Sequence, residues 1–138
     1  MNDDELRQAL TVLEAYKSQL DALTQQAQLF QVSLDEALRA RETLKAFLNA
    51  KEGDEILVPV GALSFVPAKA TGGKKAIVGI GSRMSVEKDL DSAVAFMDGT
   101  VKDITEALKR SGETISEMEM SARNLSLAVQ QEYQRRKQ

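Results

Sequence analysis

Three short runs carry residue types that do chemistry in other proteins. Gly79-Ile80-Gly81 follows an apolar stretch, the place from which backbone amides cradle a dinucleotide pyrophosphate, but the third glycine of that fingerprint is missing. A turn explains it. Gly72-Gly73-Lys74-Lys75 has a phosphate-binding loop's lysine without the Ser or Thr that should follow it, and no glycine stands five positions before Gly73. Asp3-Asp4-Glu5 gathers three carboxylates that would bind a hard cation weakly, yet acidic residues suit the positive pole of a helix start. The chain has no His and no Cys, which removes the commonest general base, the usual transition-metal ligands and the thiol nucleophile. Carboxylate-only catalysis would need a pocket-forming segment, and none is visible. The expectation is no catalytic residue, no cofactor, no metal ligand, and so no enzyme.

Composition narrows the remaining classes. The chain has 138 residues with 43% apolar and 28% charged, which fits one folded domain spanning 1–138. Aromatic residues make up only 4%, so the bulky side chains of an ordinary globular core are scarce. A net charge of -3 offers no positive field for phosphates, which argues against nucleic acid as a partner. The uncharged run Ile56 to Ala68 contains two prolines and, like every other uncharged run in the chain, falls short of the roughly 20 residues that span a bilayer. No membrane partner is expected. Met1-Asn2-Asp3-Asp4-Glu5 lacks the basic and apolar regions of a secretory signal, so the expected location is cytoplasmic.

The elements that position any functional surface divide the chain into three parts. Six of the eight glycines and both prolines, Pro59 and Pro67, lie between residues 53 and 81. The flanks, 1–52 and 86–138, are nearly free of helix breakers and read as long helices. Asn2 with Glu5 forms a variant of the capping box, Ser85 followed by Glu87 and Asp89 signals entry to the second helix, and Gly53 marks the exit from the first. Counting by sevens from Leu6 gives a positions at Leu13, Leu20, Ala27, Leu34, Arg41 and Leu48, with d positions from Ala9 through Tyr16, Leu23, Phe30 and Ala37 to Leu44. The second flank repeats the pattern, from Val94 to Val129 at a and from Leu90 to Leu125 at d. Of 25 seam positions only Arg41 and Ser111 are not apolar, where chance would place about 11 apolar residues. No longer repeat is visible.

If the chain folds back, the seams align antiparallel with residue numbers summing to about 138, pairing Leu48 with Leu90, Phe30 with Leu108 and Leu13 with Leu125. Arg41 then has Asp98 as a neighbour, and small residues Ala27 and Ser111 share a layer. The middle segment, 54–85, alternates strand-forming runs with glycine turns and reads as two short β-hairpins. Two-stranded hairpins with apolar residues on both faces cannot hide them within one chain, so these strands need partner chains. The residues expected at that interface are Ile56, Leu57, Val58, Val60, Phe65 and Val66 in the first hairpin, with Ala76, Ile77, Val78 and Ile80 in the second.

Ile56-Leu57-Val58-Pro59-Val60-Gly61-Ala62, Phe65-Val66-Pro67-Ala68-Lys69, Val78-Gly79-Ile80-Gly81 and Val86-Glu87-Lys88-Asp89, with Ala93 and Phe96 downstream, resemble the strand and second-helix signature of the prefoldin alpha subunit. Ser82-Arg83-Met84-Ser85 departs from that pattern. The resemblance implies an α+β fold in which a long antiparallel coiled-coil hairpin is joined by two β-hairpins that oligomerise into a β-barrel platform. It also implies an ATP-independent holdase, similar to the archaeal form, with two alpha subunits joined to four beta subunits. Such assemblies capture non-native polypeptides at the coiled-coil tips and pass them to a group II chaperonin.

A holdase needs apolar surface that its own seam does not consume. At the ends of the arms this includes Leu10, Val12, Met120, Leu127 and Tyr133, which fall outside a and d. The seam residues Leu6, Leu13, Tyr16, Leu125 and Val129 join the client-binding set if the ends splay. The alternative reading is a structural coiled-coil adaptor or spacer that docks one folded partner.

Overall fold

A computed structural model describes residues 1–138. The element order is α1 (Asp3–Asn49), β1 (Glu55–Gly61), β2 (Ser64–Lys69), β3 (Lys75–Gly81), β4 (Met84–Asp89) and α2 (Leu90–Lys137). The chain forms two compact units: residues 1–33 with 104–138, and residues 34–103. The first holds the terminal parts of both helices; the second holds their remaining parts and both hairpins.

The helices start and stop where local chemistry directs. The Asn2 backbone N–H donates to Glu5 Oε2 at 3.0 Å, and the Glu5 N–H donates to Asn2 Oδ1 at 2.8 Å, closing the reciprocal capping box. At the other end of α1, Lys74 Nζ donates to the carbonyls of Phe47 (3.0 Å), Leu48 (3.2 Å) and Ala50, filling the negative helix pole with a lysine from between the hairpins. The Lys51 N–H donates to Asp54 Oδ2 at 2.8 Å, and Gly53 takes φ of 88°, so the chain turns directly into β1.

All 25 seam positions are buried or half-buried. In the first unit Leu6, Ala9 and Val129 form a buried cluster against which Leu13 and Leu125 pack. In the second unit Ala37, Leu90, Ala93 and Val94 are buried, and Arg41 Nη1 lies 3.4 Å from Asp98 Oδ1. These contacts match the antiparallel register.

Each hairpin is its own two-stranded antiparallel sheet. Glu55 pairs with Lys69 and Pro59 with Phe65 in the first; Lys75 pairs with Asp89 and Gly79 with Ser85 in the second. The second register is the first shifted by 20 residues, including the irregularity before the turn. Both turns hold two non-glycine residues at positive φ, Ala62 (49°) and Leu63 (58°), then Ser82 (51°) and Arg83 (61°). Positive φ at both central positions is what a type I′ turn requires, and its twist matches that of the strands. The hairpins are thus a structural repeat, although none is visible in the letters.

One boundary differs from the sequence reading. Ser85 through Asp89 belong to β4 and do not begin the second helix, which starts at Leu90. The seven-residue β3 pairs Ala76 with Lys88 and Ile77 with Glu87, and this ladder outweighs the capping signal of Ser85.

Candidate functional site

Two apolar surfaces remain uncovered, one in each unit. In the hairpins, Leu57 is 67% exposed, Ile77 79% and Leu63, at its turn, 97%. Val58, Val60, Phe65, Val66 and Ile80 are also exposed, while Ile56 and Ala76 are half-buried. Val78 alone among the ten expected interface residues is buried, at 3%. Its counterpart in the first hairpin, Val58, is open, and only the second hairpin runs without a loop into a helix, from Asp89 to Leu90. The sequence reading omitted two exposed residues at the hairpin ends, Leu63 in the first turn and Met84 at the start of β4. Their place between turn and strand hid them, because apolar residues at a turn have no periodic signature. Two-stranded sheets open on both faces leave such side chains to be covered by other chains.

In the unit carrying both chain ends, Leu10, Val12, Met120, Leu127 and Tyr133 are exposed, with Met120 at 62%. Leu6 and Val129 are buried and Leu13, Tyr16 and Leu125 half-buried, so these five belong to the closed seam. The ten residues named from sequence therefore split into an exposed set and a packed set. Beside the seam runs an open groove of about 460 Å³, with Leu13, Leu20 and Ala122 on its apolar part and Glu14, Lys17, Asp21 and Arg123 among its charged neighbours. Leu29 and Val32 add an exposed apolar pair three residues apart on α1, one helical turn that the sequence reading passed over.

The end of this unit is ionic. Glu132 is the one buried charged residue. Arg135 donates to it through Nε at 3.0 Å and Nη2 at 2.6 Å, and Arg136 through Nε at 3.0 Å. Arg136 also bridges to α1, with Nη1 2.7 Å from Asp3 Oδ1 and Nη2 2.9 Å from the Met1 carbonyl oxygen. The Met1 amino nitrogen lies 3.4 Å from Glu132 Oε2. Hydrogen bonds from Arg135 and then Arg136 hold the Glu132 carboxyl at about 2, below its ordinary 4.5, against the opposing effect of burial. No helix is long and apolar enough to cross a membrane.

Both surfaces expose apolar side chains. Comparison with known proteins places that arrangement. The family model described as Prefoldin subunit matches residues 16–135. A prefoldin subunit alpha of Pyrococcus horikoshii is 32% identical over 119 residues, covering 86% of this chain and 80% of the relative. That of Methanocorpusculum labreanum is 31% identical over 132 residues, covering 95% and 89%. Among solved structures, filamentous PFD from Methanocaldococcus jannaschii is similar in fold, with a TM-score of 0.69 at 22% identity, covering 88% of this chain and 98% of that one. The prefoldin beta subunit from Thermococcus strain KS-1 gives a TM-score of 0.59 at 19% identity, covering 92% and 90%. With two seam-bearing helices joined through two hairpins, and with alpha-type relatives along most of its length, the chain belongs to the prefoldin family as an alpha-type, chaperone-type subunit.

Proposed function

We propose that this chain is the alpha subunit of an ATP-independent holdase in the cytoplasm. Two copies join four beta subunits through the hairpins, whose strands close into a shared β-barrel platform. Leu57, Val58, Val60, Phe65, Val66, Ile77 and Ile80 become covered there. Non-native polypeptides bind to the helical unit that carries the chain ends and are then passed to a group II chaperonin. The observation that supports this reading most strongly is the exposed set Leu10, Val12, Met120, Leu127 and Tyr133 around a closed seam: apolar surface displayed on a helix pair that has no internal use for it. Such contacts are non-directional, as binding of many unrelated unfolded chains requires.

The test replaces Leu10, Met120, Leu127 and Tyr133 together with Ser in the assembled complex and follows light scattering of several unrelated denatured proteins. The wild type should keep all of them soluble. The variant should lose that capacity while its subunit composition stays the same. Undiminished capture by the variant refutes the assigned surface; capture of one folded partner only, by the wild type, establishes the adaptor reading instead. Handover is tested by adding a group II chaperonin to preloaded complex and measuring client transfer.

A further inference from the structure

The heptad frame of α2 does not stop at Val129. The next d position is Glu132 and the next a position is Arg136, so the seam continues for one more layer with charged residues where every earlier layer but two is apolar. Glu132 does not turn outward, and Arg136, although exposed, is tied to both helices. Glu132 keeps only 7% of its surface and takes hydrogen bonds from Arg135 and Arg136, while Arg136 reaches across to Asp3 of α1 and to the carbonyl of Met1, which precedes that helix. Directly behind this layer in the heptad sequence come Val129, Leu6 and Ala9, the buried cluster, and then Leu13 and Leu125. A layer of apolar residues would have closed the seam through water exclusion alone; an ionic layer at a helix end is weaker and is weakened further by salt.

We infer that Glu132, Arg136 and Asp3 form a clasp that holds the end of the seam shut and limits access of non-native polypeptides to Leu6, Leu13, Leu125 and Val129. Opening the clasp joins these side chains to the exposed set of Leu10, Val12, Met120, Leu127 and Tyr133 and enlarges the apolar surface offered to a client. This inference rests on the client-binding role proposed above and specifies how that surface is regulated. Arg135 serves the clasp by holding Glu132 in its ionised form on the same helix. Glu132 is the pivot because it is the acceptor shared by both arginines.

The experiment compares the wild type with Glu132→Gln and Arg136→Gln, each as full chain in the assembled complex. Amide hydrogen exchange at residues 4–13 and 125–135 reports the clasp, and suppression of aggregation of guanidine-unfolded rhodanese reports capture. Glu132→Gln is expected to accelerate exchange in these segments about tenfold or more, to leave exchange in the hairpins unchanged, and to lower severalfold the complex concentration needed for half-maximal suppression. Arg136→Gln should act in the same direction, which separates loss of the clasp from any local misfolding peculiar to one substitution. Unchanged exchange in both variants overturns the clasp. Faster exchange with unchanged capture overturns its role as a gate. If the wild type fails to suppress aggregation while both variants show faster exchange, the client-binding reading falls and the gating falls with it, although the ionic closure stands.

Discussion

Within a single copy of the chain all 25 seam positions of the helices are buried or half-buried, whereas seven of the ten apolar positions expected to form the hairpin interface face solvent. The helices and hairpins are built from similar aliphatic residues, so the difference lies in geometry. A heptad pattern places its apolar residues on one stripe, and two antiparallel stripes satisfy each other. An alternating strand places residues on opposite faces, and a sheet of only two strands has nothing to lay over either one. One region completes itself by folding; the other, on the reading proposed above, is completed by assembly. The second hairpin stands partway between, since Val78 is buried while Val58, at the equivalent place 20 residues earlier, is not.

The strongest way to break this contrast is to make the hairpins unable to be covered. Leu57→Lys combined with Ile77→Lys should weaken assembly with a beta-type subunit at least about a hundredfold, because burying each side chain contributes about 1.5–3 kcal/mol. Native mass spectrometry reads the loss, and the helical circular dichroism should be unchanged. On the other side, Leu6→Ala removes a buried seam residue and should cost about 2–3 kcal/mol locally, seen as faster amide exchange near the chain ends without any change in subunit composition. The turns offer a gain. Ala62 and Leu63 occupy positive φ without being Asn or Gly, so Ala62→Asn with Leu63→Gly should stabilise the first hairpin by about 1 kcal/mol, measured by exchange of its amides.

How far the sequence carries this contrast depends on which physical signal governs each part. The seam, the antiparallel register, the Asn2–Glu5 cap and the Arg41–Asp98 pair follow from periodicity and spacing, and the structure contains all of them. The end of the second hairpin does not follow, because Glu87, Lys88 and Asp89 are charged and Ser85 looks like a helix cap, whereas pairing with β3 decides their conformation. The 20-residue repeat is hidden because its two copies share pleat and turn geometry more than residue identity, and backbone conformation at Ala62 and Ser82 has no counterpart in residue type. Glu132 and Lys74 were unreadable for another reason: a surface-type residue reveals its partners only when the chain brings them together. Among candidate site residues, exposure of Leu10, Val12, Met120, Leu127 and Tyr133 is legible from their heptad positions, while Leu29 and Val32, also outside a and d, lie inside the arm and away from its end.

Two smaller effects sharpen the helical side. Arg41 is the one charged residue in the apolar heptad run, and its Nε is buried without a hydrogen-bond partner. Arg41→Leu should therefore be neutral or raise stability by up to about 1 kcal/mol, seen as a small rise in Tm. Acidification from pH 7 to 5.5 should leave amide protection near the chain ends, relative to the intrinsic exchange rate at each pH, unchanged. The Glu132 carboxyl, facing Arg135 and Arg136 on its own helix and the Met1 amino group just before α1, with Asp3 linked through Arg136, is held at about 2. Its lowered value means that its contribution is complete above about pH 4.5, declines below that and is gone once the pH has fallen through about 2.

The division between a self-completed seam and hairpins that await partners is tested most directly by amide hydrogen exchange on the full chain, alone and then mixed with a beta-type subunit. The seam of the helices should be protected in both samples. The hairpin amides between residues 55 and 89 should exchange rapidly in the chain alone and gain protection of at least about a hundredfold on mixing. Hairpins already protected in the isolated monomer, or left unprotected in the mixture, would contradict the account.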